Sequence, residues 1–283
     1  RRVLFRSVTG LYCELDGRFP HHHPDPTVLE NLSDLMQAVK DNKADVGIGY
    51  DGDADRIGTV DESGRVLWGD RLMVVYSRDI LAVKPGSTII SEVKASQSLY
   101  DDIAKRGGRP VMWKTGHSLI KAKMKEEKAV LAGEMSGHMF FADRYFGYDD
   151  AVYASCRLIE ILAKGVKPLS ALVADLPDTT VTPEIRVDLP DTIKFDVVTR
   201  VRERFETYAR TKQGLGQDQR RVRELVTIDG VRAIFDDGWG LIRASNTQPA
   251  LVLRFEAATS AKLDAIRAIV EGELADVRRE FER

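Results

Sequence analysis

Asp51-Gly52-Asp53-Ala54-Asp55-Arg56 is the segment of this chain with the most evident chemistry. Carboxylates at alternate positions of a tight loop can turn their oxygens toward one hard divalent cation, and magnesium is the natural candidate. Asp51, Asp53, Asp55 and Glu62 also fall at positions 1, 3, 5 and 12 of an EF-hand, but Arg56 stands at position 6, where that loop needs glycine. A solvated acidic turn is the plain structural alternative. Arg56 beside a cation makes sense when phosphate is bound as well, because a guanidinium is a phosphate partner.

Three further segments gather polar groups that could face a ligand. His117 follows Gly116 and precedes a helix expected to begin near Ser118, so its imidazole can face a ligand at a strand-to-helix turn. Glu134-Met135-Ser136-Gly137-His138 presents a carboxylate, a hydroxyl and an imidazole in one short turn. A carboxylate accepting two vicinal hydroxyls gives directional recognition and leaves a penalty when one partner is missing. Arg243-Ala244-Ser245-Asn246-Thr247 combines a guanidinium, two hydroxyls, an amide and main-chain N–H groups after a strand, which suits a dianionic phosphate. The consecutive His21, His22 and His23 invite a zinc reading, yet neighbours in a proline-rich loop cannot easily face one ion together.

The elements that must position these groups follow from periodicity. Thr27 to Val39 carries apolar residues at helical spacing, with Thr27 and Glu30 placed as a capping box. Asp45 to Tyr50 and Ile57 to Val60 read as strands flanking the acidic loop, with a turn over Glu62 to Arg65. From Trp68 to about Asp175 helices and strands alternate: a helix near Leu72 to Ala82, a strand at Thr88 to Val93, a helix from Ser98, a strand at Pro110 to Trp113 and another helix. Ala129 to Ala132 and Met139 to Phe141 read as strands, followed by helices over Ala151 to Ala163 and after Pro168. The tail differs, with strands at Glu184 to Val187, Glu224 to Ile228, Val231 to Phe235, Gly240 to Arg243 and Leu251 to Phe255. A helix over Phe195 to Tyr208 and a long closing helix complete an antiparallel α+β unit, and Asp229-Gly230 is a hairpin signal.

Composition limits the partners. The chain has 283 residues, 43% hydrophobic and 30% charged, enough for two or three units of usual size. A net charge of −2 gives no reason to expect nucleic acid or an anionic membrane. Cys13 and Cys156 lie far apart and outside any CxxC spacing, so neither a disulfide framework nor a zinc site is suggested and a reducing cytoplasm fits. No apolar run approaches the ~20 residues of a spanning helix, and no signal peptide opens the chain. Arg1 to Ser7 carries three arginines and leads at once into what reads as the middle of a domain. A truncated or chimeric start is expected, with a basic strand as the alternative.

Taken together the motifs resemble those of the α-D-phosphohexomutases of the phosphomannomutase/phosphoglucomutase kind. The acidic loop is similar to that family's DGDADR metal loop, and Asp16-Gly-Arg-Phe-Pro20 with His22, Pro24 and Pro26 to its DGxFPxHxPxP stretch. Lys114-Thr-Gly-His-Ser118, Gly133-Glu-Met-Ser-Gly-His138 and Arg243 to Pro249 match further family motifs in the same order. The resemblance implies a multidomain α/β fold: the C-terminal part of α/β/α domain II over residues 1–65, domain III over 66–177 and an antiparallel α+β domain IV over 178–283. It implies interconversion of hexose 1-phosphate and hexose 6-phosphate, with glucose and mannose as sugars, through a bisphosphorylated sugar and an enzyme phosphoserine. Asp51, Asp53 and Asp55 would hold Mg2+, and Arg56, Lys94 and His117 would serve catalysis. Lys94, His117, residues 134–138 and residues 243–247 would bind substrate. The expected protein is a cytoplasmic monomer or weak dimer acting on small sugar phosphates. No TxSHNP-like serine segment occurs in these 283 residues, so the chain alone is expected to be inactive. A phosphoglucosamine mutase would instead show GEQSGH and SGT-type loops, and a non-catalytic sugar-phosphate or cation-binding fragment is the other alternative.

Overall fold

The computed structural model describes residues 7–14 and 16–281, so the expectation for Arg1 to Ser7 lies outside the described residues except at Ser7. The chain divides into two compact units, Arg1–Leu176 and Pro177–Arg283.

In the first unit a single 3-10 turn, Leu29–Leu32, leads into helix α1, Ser33–Asn42. The expected capping box does not form. Asp25 accepts both the amide and the hydroxyl of Thr27, at 3.0 and 2.7 Å, which removes Thr27 from the cap and delays the helix. Leu32 at the end of the turn and Val39 in α1 are buried on the inner side. Strands β1 (Val46–Tyr50), β2 (Ile57–Asp61) and β3 (Val66–Leu67) form an antiparallel sheet in that order, so the acidic loop joins two paired strands.

A second sheet uses β4 (Thr88–Glu92), β5 (Arg109–Trp113), β6 (Leu131–Gly133) and β7 (Met139–Phe141) in the order β5-β4-β6-β7. β4 is parallel to both neighbours, whereas β7 turns back antiparallel on β6. Helices α2 (Gly69–Val83), α3 (Gln97–Lys105), α4 (His117–Glu127) and α5 (Ala151–Lys164) cover it. Every residue of β4 is buried, as a parallel strand covered on both faces should be. One core cluster runs from Ile57 and Leu67 through α2 to Ala151 and Leu158, so the two sheets share apolar packing.

The second unit is a six-stranded antiparallel sheet. Its strands are β8 (Thr180–Val181), β9 (Ile185–Asp188), β10 (Glu224–Val226), β11 (Val231–Phe235), β12 (Gly238–Ala244) and β13 (Ala250–Ala257), ordered β10-β11-β12-β13, with β8 and β9 both on the outer edge of β13. Helices α6 (Lys194–Thr211) and α7 (Ser260–Phe281) pack on the face formed by Val231, Ala233, Phe235, Ile242, Leu251, Leu253 and Phe255. Among the described residues no helix is long and apolar enough to cross a membrane.

Candidate functional site

The acidic loop is shaped from within. Asp51 is buried, and its Oδ1 accepts the amides of Asp55 and Arg56 at 3.1 and 3.0 Å. Its Oδ2 takes the Nε of Arg56 at 2.6 Å, and the same guanidinium reaches Asp25 at 3.3 Å. One carboxylate oxygen from each of Asp51, Asp53 and Asp55 lies within 4.8 Å of the others, a spacing a single cation can bridge. Burial by itself would raise the pKa of Asp51, but the hydrogen bonds and charge of Arg56 outweigh it and hold this carboxyl below the usual range. Asp55 is pushed up, first by burial and then by the neighbouring charges of Asp51 and Asp53, against the opposing pull of His138. Such like-charge crowding is what a bound cation relieves, so the donor set fits a divalent metal. Glu62, which an EF-hand would need, is engaged by the amide and hydroxyl of Ser170 instead.

Main-chain pairing joins the acidic loop to the Glu134–His138 turn. Arg56 and His138 form an antiparallel bridge, and the amide of Ile57 donates to the carbonyl of Gly137 at 3.1 Å. Gly137 has φ +98°, and an added Cβ would lie 2.5 Å from the carbonyl oxygen of Ile57. Glycine is therefore required there by both conformation and space. Gly69, at the start of α2, packs equally close to the other side of the turn, since a Cβ would lie 2.5 Å from the carbonyl oxygen of Glu134.

A buried carboxylate that the sequence did not flag holds the neighbouring loops together. Glu92, fully buried at the end of β4, accepts the amides of Lys94 at 2.7 Å and Met135 at 3.2 Å and the hydroxyl of Thr115 at 3.1 Å. Glu134 in turn accepts the amide of Gly116 at 2.7 Å. Its own pKa is raised by burial and then by the charge of Glu92. Lys94, Thr115, Gly116, Met135 and Glu134 thus belong to one bonded set around the carboxyl ends of parallel strands, where open α/β sheets place their ligands. The one available signal for Glu92 was its place at the end of a strand just before Lys94.

The histidines meet at a second missed residue. Asp149 Oδ2 lies 3.2 Å from Nδ1 of His138 and 3.3 Å from Nδ1 of His117, while Oδ1 accepts from Lys121 at 3.1 Å. His138 Nδ1 also lies 3.5 Å from Asp55. Burial would lower the pKa of His138, but Asp149, Glu134 and Asp55 together raise it. Asp149 itself is driven well below the ordinary carboxylate range: burial opposes this, and the bonds from His138 and Lys121 prevail. The metal-ligand clusters among the described residues do not include His21, His22 or His23, and His21 stacks on Tyr12 with ring centres 3.8 Å apart.

In the second unit Arg243 is buried at the end of β12, and its Nε donates to Asp229 at 2.9 Å. The Asp229-Gly230 turn holds that partner in place, with Gly230 at φ +79° and an added Cβ only 2.2 Å from the carbonyl oxygen of Ile242. Ser245 Oγ accepts the amides of Thr247 and Gln248 at 3.3 and 3.1 Å, forming a compact exposed loop. Buried Lys194, at the start of α6, donates to the carbonyls of Ser245 and Gln248 at 2.6 and 2.9 Å and fastens the loop from below.

Three family models for phosphoglucomutase/phosphomannomutase match this chain in consecutive segments: alpha/beta/alpha domain II over residues 4–64, alpha/beta/alpha domain III over 68–180 and the C-terminal domain over 184–273. The chain belongs to the phosphoglucomutase/phosphomannomutase family. It is 47% identical over 271 residues to a phosphomannomutase/phosphoglucomutase of Pseudomonas syringae, covering 96% of this chain and 56% of that protein. A phosphoglucomutase of Neisseria gonorrhoeae is 44% identical over 273 residues, covering 95% of this chain and 56% of that protein. The crystal structure of a phosphoglucomutase/phosphomannomutase family protein from Burkholderia thailandensis superposes with a TM-score of 0.83 at 41% identity, covering 95% of this chain and 54% of that one. The chain therefore spans about 56% of the length of the curated relatives it matches. The expectation of a multidomain phosphohexomutase fold agrees with these findings.

Proposed function

We propose that this chain supplies the metal, sugar-recognition and phosphate loops of an enzyme that interconverts hexose 1-phosphate and hexose 6-phosphate, accepting glucose and mannose. The observation that carries the proposal is the bridge between Arg56 and His138 with the Ile57–Gly137 hydrogen bond, because it fixes a cation-competent loop against a hydroxyl-reading turn. In domain terms we assign residues 1–65 to the end of domain II, 66–177 to domain III and 178–283 to domain IV.

Asp51, Asp53 and Asp55 are the residues that would hold Mg2+. When bound, the ion would neutralise charge on a phosphoryl group. Arg56, locked on Asp51, adds a fixed positive charge beside the loop. Glu134 is aimed by Gly116 and, with Ser136 and His138, is suited to sugar hydroxyls, while Met135 and Gly137 supply the shape of the turn. Lys94 and His117 are the candidates to contact the reacting phosphate and move a proton at the hydroxyl oxygen. Arg243, with Ala244, Ser245, Asn246 and Thr247, is suited to grip the phosphate that is not transferred. The GEMSGH and SNT sequences favour a phosphomannomutase/phosphoglucomutase over a phosphoglucosamine mutase. Small sugar phosphates are the partners, and a cytoplasmic monomer or weak dimer is the assembly we assign.

A chimera tests this function. The portion of the Pseudomonas syringae relative that this chain does not cover, joined to this chain so as to supply the phosphoserine segment the proposal requires, should convert glucose 1-phosphate and mannose 1-phosphate to their 6-phosphates in Mg2+. A folded, phosphorylated chimera without turnover would refute it, and turnover of glucosamine 6-phosphate alone would move the assignment to the alternative.

A further inference from the structure

The loop between β12 and β13 turns its main chain in two directions. Inward, the carbonyls of Ser245 and Gln248 accept from Lys194 Nζ at 2.6 and 2.9 Å, and the amides of Thr247 and Gln248 close on Ser245 Oγ. The ends are fixed as well: the amide of Ser245 donates to the carbonyl of Ala250, and the amide of Leu189 to the carbonyl of Pro249, each at 2.9 Å. Outward, Asn246 to Pro249 are exposed, and among the described residues the amide of Asn246 meets no acceptor. Lys194 is the first residue of α6, is 4% exposed, and gives its third N–H to Asp191 Oδ1 at 2.6 Å. Burying an ammonium is far more costly than burying a neutral donor, and two carbonyls need no charge to be satisfied. Here the charge is only partly cancelled, because Asp191 is 68% exposed and water screens it.

We propose that Lys194 is a positioning residue for phosphate binding: it draws the carbonyls of Ser245 and Gln248 inward, so that the loop meets an anion with N–H and O–H donors, and it sets a partly uncancelled positive charge beneath that anion. The inference rests on the reading of residues 243–247 as the phosphate grip. Carbonyl oxygens repel a phosphate and amide hydrogens attract it, so the direction in which a turn points its peptide groups decides whether it is an anion site. Lys194 itself makes no contact with the phosphate, since it lies buried with all three N–H donors committed to Ser245, Gln248 and Asp191. It acts through the loop and through its field. Arg243, held by Asp229, remains the cation that grips the ligand directly.

The test is a titration of the intact chain with inorganic phosphate at low salt, followed through the amide NMR signals of Asn246 and Thr247. In the parent these signals should shift to saturation. Lys194→Met keeps the apolar stem but removes the charge and the donors, and should weaken binding by about ten- to a hundredfold, the worth of a bond from a charged donor. Asp191→Asn unmasks the ammonium and should tighten binding by up to about fivefold, the worth of an exposed ion pair. That gain is a readout that a lysine acting only as a mechanical tie would not move. Asp191 is exposed, so its variant decides the matter if circular dichroism shows that Lys194→Met misfolds. Parental affinity in a folded Lys194→Met variant, or no gain in Asp191→Asn, would overturn the proposal and leave the phosphate reading of the loop in place. No saturable shift at Asn246 and Thr247 in the parent would overturn both.

Discussion

Substituting alanine for Gly137 attacks the joint between the acidic loop and the Glu134–His138 turn with a single methyl group. The residue sits at φ +98°, outside the region open to alanine, and its Cβ would lie 2.5 Å from the oxygen, 3.1 Å from the nitrogen and 3.2 Å from the carbonyl carbon of Ile57. All three contacts are backbone, so no side chain can swing away. The backbone strain is worth about 1–3 kcal/mol. Loss of the Ile57 to Gly137 hydrogen bond adds about 0.5–1.5 kcal/mol, for a total near 2–4 kcal/mol. For a unit of this size each kcal/mol moves the melting point by about 2–4 °C, so the first unit should melt roughly 4–16 °C lower. Gly86→Ala is the control: its φ is +80° with no atom within 4 Å of the added Cβ, so it carries strain without a clash. Scanning calorimetry of both variants, with Mg2+ titrated into each, reads the difference. Gly137→Ala should lose both stability and Mg2+ affinity. If it melts with Gly86→Ala and binds Mg2+ as the parent does, the joint does not hold the loop.

Asp53→Asn should weaken Mg2+ binding measured by calorimetry while leaving the melting point in place, because Asp53 is exposed and the loop is shaped by Asp51 and Arg56; an unchanged affinity would remove Asp53 from the metal set. Arg243→Lys in the chimera should raise KM for glucose 1-phosphate by about ten- to a hundredfold and also slow turnover, since lysine keeps the charge but loses the planar fork and the bond to Asp229; unchanged kinetics would place the phosphate site elsewhere. Asp143→Asn probes the ion pairs of Asp143 with Lys84 at 2.5 Å and buried Arg157 at 3.1 Å. Burial opposes ionisation of Asp143, yet these cations outweigh it and depress its pKa, so its stabilisation is full above the ordinary carboxylate pKa and fades as pH falls through the lower folded value. The variant should be about 3–5 kcal/mol less stable at pH 7, with the gap narrowing in acid; a gap independent of pH would show that packing and not charge is responsible.

The parts of this protein written in local chemistry were legible in its sequence. The carboxylate spacing gave the acidic loop, and strands formed on either side of it, β1 beginning one residue later and β2 ending one residue further than read. What escaped lies in competing local bonds, in elements too short to show a period and in pairings between separate segments. The Thr27 capping box failed because Asp25 competes for the same hydroxyl and amide. Strands β3 and β8 have only two residues each, too short to show a period. Glu92, Asp149 and Lys194 carry no motif of their own, and their importance lies in partners between 2 and 54 residues away in sequence. The pairing of Arg56 with His138 spans two sheets, and nothing in either segment announces the other.

The central claim is that these loops perform phosphoryl transfer between the ends of a hexose once a phosphoserine is supplied. It is tested most directly by the chimera assayed with glucose 1-phosphate and mannose 1-phosphate, beside this chain alone. The account expects Mg2+-dependent formation of both 6-phosphates by the chimera and none by the chain. Turnover by the chain without any added serine segment, or a folded and phosphorylated chimera inert toward both sugars, would contradict it.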